Sequence, residues 1–202
     1  MAKRCNTNPE IVVFAGPNGS GKSTIGEYLR PVFLPYINAD EIKRVLGCDD
    51  LQAAQLAEQR RENYLRTEQS FCFETVLSTE RNLNLLRRAK AAGFFLRCCY
   101  VLTVDPQINA VRVMSRVAAG GHDVPVDKIF SRYEKALALV PELIPICDVF
   151  HIFDNSCLPY CIFKKQDDLC WYCTEPHLWQ KKDIAALTGI SNPQRASLNH
   201  VT

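Results

Sequence analysis

The sequence predicts an α/β domain of three layers, with helices on both faces of a mainly parallel sheet, and three observations carry that prediction. Short apolar runs rich in β-branched and aromatic residues alternate with helix-forming stretches along most of the chain. The first run, residues 11–15, is apolar without interruption, as a strand buried on both faces requires. It leads directly into a glycine-rich loop, Gly16-Pro17-Asn18-Gly19-Ser20-Gly21-Lys22-Ser23, which fits G-x-x-x-x-G-K-[ST] in full.

The elements follow in order. A first helix should begin near Gly21. After Pro31 and Pro35 break the pattern, residues 36–40 read as a short strand ending at Asp40, with helical residues from 41 to 46. Residues 51–69 hold no Gly or Pro and are rich in Ala, Gln, Glu, Arg and Leu, the content of one long helix. Residues 71–77 are aromatic and β-branched, a further strand, and Ser78 or Thr79 can cap a helix that runs to Ala92 before Gly93. Residues 94–104 form the next buried strand. Asp105-Pro106 places a cap and a first-turn proline ahead of a helix over 107–119, which Gly120-Gly121 stop. Another helix follows from about Val126. Residues 149–153 read as a strand ending at Asp154-Asn155-Ser156, and residues 160–174 as a hairpin turning near 166–168. A short helix over 178–187 precedes a polar tail. The expected organisation is one domain over residues 1–189 and a tail over 190–202.

Composition bounds the partners. With 202 residues and 47% hydrophobic content the chain can bury one substantial core. The 24 basic and 22 acidic residues leave a formal charge of +2, so no global field draws it to nucleic acid or an anionic membrane. The first apolar run is too short for a signal-peptide core, and the longest, 94–104, is interrupted by Arg97 and about half the length of a membrane span. A cytoplasmic protein is expected. Ten cysteines are many, but Cys72, Cys98, Cys99 and Cys147 lie in apolar segments where a thiol acts as a small hydrophobe. Cys157, Cys161, Cys170 and Cys173, with His177 nearby, could gather soft ligands for zinc; the loose spacing and the alternation of strand residues favour packed thiols instead. His151, inside a strand, reads as a core or edge histidine before it reads as a ligand.

The glycine-rich loop between a strand and a helix predicts a nucleotide-binding P-loop NTPase fold, and the later elements add a helical lid and a C-terminal hairpin. Backbone N–H groups of residues 16–23 curl around phosphate oxygens, Lys22 spans the β- and γ-phosphates, and the Ser23 hydroxyl serves Mg²⁺, with Thr24 assisting. The nucleotide is ATP or GTP. A kinase also needs an acid beside the γ-phosphate, and Asp40 at a strand end fills that place, either as base or as a helix cap. Glu74 is an acid in an apolar strand, which calls for a substrate hydroxyl, a Mg²⁺-bound water or a basic partner. Arg112 and Arg116 are one turn apart on the helix before Gly120-Gly121 and suit a lid that neutralises the transferred phosphoryl group. Lys128 and Arg132 repeat the spacing on the next helix, where a solvated basic face is the plainer alternative.

Residues 16–23, Ile37-Asn38-Ala39-Asp40, Phe73-Glu74-Thr75, Gly120-Gly121-His122-Asp123-Val124-Pro125 with Ile129 and Arg132-Tyr133, and Asp154-Asn155-Ser156 together resemble the zeta toxin family of P-loop kinases. The likeness spans roughly residues 10–180. It implies a phosphotransferase fold like that of nucleotide kinases and ATP- or GTP-dependent phosphorylation of a small molecule, in the best-known members a UDP-activated amino sugar such as UDP-N-acetylglucosamine. By position it implies Asp40 as catalytic base, Glu74 and Thr75 facing the acceptor, Arg116 as the main lid arginine, and Asn155 near the base-binding end. His122 or Arg132 would fill the place of a second arginine. An antitoxin protein is a possible partner by the same likeness, and no antitoxin-like segment is expected ahead of the kinase core. Two other functions compete. A regulatory NTPase would hydrolyse nucleotide without acceptor, but no switch-like glutamine or Asp-x-x-Gly element supports it. A nucleic-acid-end kinase would need a positive groove with stacking aromatics, which the near-neutral charge disfavours.

Overall fold

A computed structural model describes residues 8–121, 124–173, 178–192 and 194–195. The N-terminal half alternates β1 (Glu10–Ala15), α1 (Lys22–Leu29), β2 (Tyr36–Ile37), α2 (Ala39–Leu46), α3 (Asp50–Arg66), β3 (Phe71–Thr75) and α4 (Glu80–Ala91). Then come β4 (Phe95–Leu102), α5 (Pro106–Ala118), α6 (Val126–Ala138), α7 (Val140–Ile146) and β5 (Val149–Asp154). The chain closes with β6 (Tyr160–Gln166), β7 (Leu169–Tyr172), α8 (Lys181–Thr188) and β8 (Gln194–Arg195). Among the described residues the strands form one sheet in the order β2-β3-β1-β4-β5-β6-β7-β8.

The first five strands of that order run parallel, and β6 and β7 add an antiparallel hairpin. Registers align Ala15 with both Thr75 and Tyr100, and Leu102 with Asp154, so the C-terminal ends of β1, β3, β4 and β5 share one edge. In such sheets that edge is where ligands gather.

Strand alternation assigns the faces. Ile11, Val13, Phe71, Phe73, Leu96, Cys98 and Tyr100 turn to one large core shared with residues of α3, α4, α7 and α8. Val12, Phe14, Cys72 and Cys99 turn to the other face. There α1 comes close enough that a Cβ on Gly26 would touch Phe14 and Glu74. Phe71 and Phe73 are wholly buried, each worth about 1.5–3 kcal/mol of burial. Ala110, Val113, Val124 and Ile129 form a separate small cluster that joins α5 to α6. The three-layer expectation is thus met, lid helices and hairpin included, with Asp167 at φ 53° in the hairpin turn.

Three local expectations need correction. The strand expected over 36–40 ends at Ile37, because the Asn38 side chain accepts hydrogen bonds from the backbone N–H of Asp40 and Glu41 and starts α2 two residues early. Asn38, not Asp40, is the cap. Helix α7 was not expected: Pro141 stands in its first turn, where proline is tolerated, and Pro145 lies inside it. Past residue 189 the chain is more than a tail, since β8 pairs in parallel with β7 and the Ile190 carbonyl accepts from the Tyr172 hydroxyl at 2.7 Å.

Candidate active site

The loop after β1 is held close to its neighbours by its glycines. Gly16 has φ 137°, and a Cβ there would lie 1.9 Å from the Val101 carbonyl oxygen of β4. Gly19, at φ 76°, would bring a Cβ within 2.5 Å of the Asn109 carbonyl on α5. Neither space nor backbone admits another residue. Lys22 folds its ammonium back to the Pro17 carbonyl at 2.9 Å. Burial pushes its pKa down to about 8 against the pull of Glu74 and Asp40, and Arg116 adds to the lowering. Glu74, Asp40 and Arg116 thus each lie close enough to act on the Lys22 ammonium.

Glu74 projects from the α1 side of β3. Its Oε2 accepts from the Ser23 hydroxyl at 3.0 Å and from the Asn38 amide at 3.1 Å, while Oε1 is buried with no hydrogen-bond partner among the described residues. Asn38 also donates to the Tyr36 hydroxyl at 3.0 Å, and burial and then Glu74 push that phenol well above its ordinary value. A Mg²⁺ ion bound to nucleotide phosphates fits this arrangement. Ser23 offers a hydroxyl, and the orphaned Glu74 oxygen can take a metal-bound water. Among the described residues no group of three or more His, Cys, Asp or Glu side chains gathers as a metal site of its own.

Thr75, next to Glu74 but on the opposite face of β3, is occupied. Its hydroxyl accepts from the Leu77 N–H at 3.0 Å and the Asn82 amide at 2.8 Å. It lines the cleft, yet its oxygen already serves the turn into α4. Asp40 stands in the first turn of α2, exposed, on the wall of the same cleft.

The lid residues divide. Arg112 donates to the Ser156 carbonyl at 3.2 Å, and its other terminal nitrogen is buried with no partner among the described residues. Arg132 reaches the Asn18 side-chain oxygen at 3.5 Å, tying α6 to the loop. Arg116 is exposed on the cleft wall. His122 lies outside the described residues. Asn155 donates its amide to the Ser20 carbonyl at 2.8 Å, so it braces the phosphate loop.

Asn109 was missed by sequence reasoning. It is fully buried, donates to the Asn18 carbonyl at 2.7 Å, and its Oδ1 accepts from Thr103. A polar residue on the inward stripe of α5, beside Ala110 and Val113, is the signal that could have found it. Arg61 of α3 was missed for the same reason, since a cation that continues the buried four-residue spacing of Ala53 and Ala57 is out of pattern.

The cleft enclosing these groups has a volume of about 740 Å³, and its walls include Gly19, Gly21, Lys22, Ser23, Thr24, Asp40, Glu74, Thr75, Arg112, Arg116 and Arg132. His151 lies apart from it, half-buried, with burial holding its pKa down to about 4 and Lys164 and Arg97 acting the same way. The Cys161 thiol donates to the Phe163 carbonyl at 3.3 Å, Cys161 and Cys173 are free thiols, Cys157 is exposed, and His177 lies outside the described residues. Among the described residues no helix is long and apolar enough to cross a membrane.

No protein-family profile matches the chain. An uncharacterized protein of Haemophilus influenzae is 27% identical over 129 residues, which is 61% of this chain and 92% of that one. A chain of the PezAT chromosomal toxin-antitoxin system of Streptococcus pneumoniae superposes with a TM-score of 0.58 at 15% identity, covering 81% of this chain and 73% of its own. The AvrRxo1-ORF1:-ORF2 complex with ATP gives a TM-score of 0.66 at 17% identity, covering 80% of this chain and 59% of the matched one. The chain therefore shares its α/β fold with a chain of a toxin-antitoxin system and with one of an ATP-bound complex.

Proposed function

We propose that the protein is a kinase that moves the γ-phosphoryl group of ATP or GTP onto a hydroxyl of a small molecule, and that a UDP-activated amino sugar such as UDP-N-acetylglucosamine is the acceptor to test first. One observation carries the reading: Lys22, Asp40, Glu74 and Arg116 line a single cleft around the phosphate loop. A nucleotide sensor needs the loop, but it does not need an acid and a lid arginine aimed at the same place. The choice of acceptor is supported by the motif likeness to the zeta toxin family, as is an inhibitory antitoxin partner.

In this mechanism the phosphates lie along residues 16–23, with Lys22 and Arg116 countering the charge that spreads over the transferred group. Ser23 and Glu74 would hold Mg²⁺, which screens the phosphate oxygens when bound. Asp40 orients the acceptor hydroxyl and takes its proton as the oxygen–phosphorus bond forms and the bond to the β-phosphate oxygen breaks, releasing the diphosphate. Arg132 holds α6 to the loop, Arg112 ties α5 to the segment after β5, and Asn155 braces the loop.

The test separates binding from chemistry. Asp40→Asn keeps affinity for a fluorescent ATP analogue and lowers transfer by about a hundredfold or more. An Asp40→Asn protein with undiminished transfer would sink the assignment.

A further inference from the structure

Arg61 is 8% exposed and lines the same cleft, on the face of α3 that also presents Ala54 and Ala57. Its guanidinium lies over the Phe73 ring, 5.3 Å from the centroid, and its Nε is buried with no hydrogen-bond partner among the described residues. The nearest carboxylates on its own helix are taken by α4: Glu58 accepts from Arg81 at 3.1 Å and Glu62 from Arg88 at 3.0 Å. Burial is the main influence on Arg61 and lowers its pKa; Glu58 and Glu62 oppose it and Arg81 reinforces it. A buried cation with an unmet donor is costly unless something anionic completes it.

The opposite wall offers complementary donors. Leu77 holds a left-handed backbone at φ 52°, fixed by the bond from its N–H to the Thr75 hydroxyl, and this turn delivers Ser78 and Thr79 to the cleft. Thr79 is the N-cap residue of α4, but no side chain caps that helix. The first amides of a twelve-residue helix, with their positive end, thus stand beside the cleft without a side-chain acceptor. Arg81 in the first turn lines it as well. Small alanines opposite leave room for a group of phosphate size.

We propose that the end of the cleft between Arg61 and the N-terminus of α4 is an anion subsite that holds a phosphate or carboxylate of the acceptor. The word acceptor rests on the kinase reading above; the anion rests on the geometry alone. Acceptors carrying a phosphate are then preferred to their neutral counterparts, so N-acetylglucosamine should be a far poorer substrate than a phosphorylated or nucleotide-linked form.

The test uses the intact protein with its phosphate loop saturated by Mg²⁺ and a non-hydrolysable ATP analogue, titrated with inorganic phosphate at constant ionic strength. Wild type shows one saturable phosphate site, and Arg61→Gln weakens it about tenfold or more, as expected for losing a charge-assisted bond. Retained binding of the ATP analogue reports that the variant is folded. Should Arg61→Gln fail to fold, Glu80→Pro compared with Glu80→Ala decides. Proline at the first helical position removes one amide donor while preserving the helix, and so weakens phosphate relative to alanine. Overturning results are the absence of a saturable phosphate site in the loaded wild type, or unchanged affinity in Arg61→Gln or, if that variant is unfolded, in Glu80→Pro. Phosphate binding without transfer to any acceptor would leave the subsite standing and remove the kinase reading. Transfer to acceptors without phosphate binding would do the reverse.

Discussion

Raising the pH from 7 to 9 should weaken nucleotide binding, because the Lys22 ammonium, which in the proposed mechanism meets the β- and γ-phosphates, has its pKa pushed down to about 8 by burial. Burial inside the loop lowers it, and the phosphates of a bound nucleotide restore the charged form by their opposite sign. At pH 7 most free protein already carries the proton. At pH 9 only about one molecule in eleven does, so binding must take up a proton, and the dissociation constant rises about tenfold, or about 1.4 kcal/mol. The assay is a titration with a fluorescent ATP analogue at pH 7, 8 and 9, repeated calorimetrically in buffers of different ionisation enthalpy to count protons. Wild type should take up about one proton per nucleotide at pH 9. Lys22→Met should bind weakly, with no such slope. A wild-type dissociation constant that stays level from pH 7 to 9, with no proton uptake, would refute the reasoning.

The same lysine sets a stability difference. Its folded pKa is depressed, so the unfolded chain binds the proton more tightly, and the penalty is full below pH 8 and fades as the pH rises towards 10.5. Lys22→Met should therefore stabilise the nucleotide-free protein at pH 7 by about 1–3 kcal/mol, discounting for the partly accessible stem, and urea unfolding at pH 7 and 10.5 should show the gain shrinking at the higher pH. Asn109→Ala leaves the Asn18 carbonyl and Thr103 without their partner and should cost about 1–3 kcal/mol in thermal or urea unfolding, together with weaker nucleotide binding. Gly16→Ala drives a methyl group into the Val101 carbonyl and should abolish nucleotide binding in a soluble variant or prevent folding, as gel filtration and binding would show. Glu74→Gln should raise the Mg²⁺ concentration needed for half-maximal transfer, while leaving metal-free nucleotide binding within a few fold; an unchanged Mg²⁺ requirement contradicts its placement beside Ser23.

The phosphate loop was legible because its glycines and Lys22 act through backbone geometry written in consecutive residues. The sheet was legible because the β1, β3 and β4 runs are apolar on both faces. What the sequence hid depends on contacts across the fold. Asn38 could be read as strand because Tyr36 and Ile37 are strand formers, and only its bonds to the N–H groups of Asp40 and Glu41 show where α2 starts. Glu74 and Thr75 were expected to work side by side on the acceptor, but strand alternation sends Glu74 to Ser23 and Thr75 to the turn before α4. Asn155 braces Ser20 across a contact between residues far apart in sequence, which no local pattern could show. Arg61 and Asn109 stood out only as polar residues on buried helix faces, which marks them as unusual without saying what they touch.

The central claim is that the cleft around Lys22 and Asp40 sends the γ-phosphoryl group to a hydroxyl other than that of water. The most direct measurement incubates the protein with Mg²⁺ and γ-labelled ATP, alone and with UDP-N-acetylglucosamine, nucleosides, nucleotides and oligonucleotide ends, and follows the label. The account expects little release of phosphate without acceptor and a labelled phosphomonoester with at least one anionic small molecule, lost in Asp40→Asn. Label appearing only as inorganic phosphate, at the same rate with and without every acceptor and in Asp40→Asn, would contradict it.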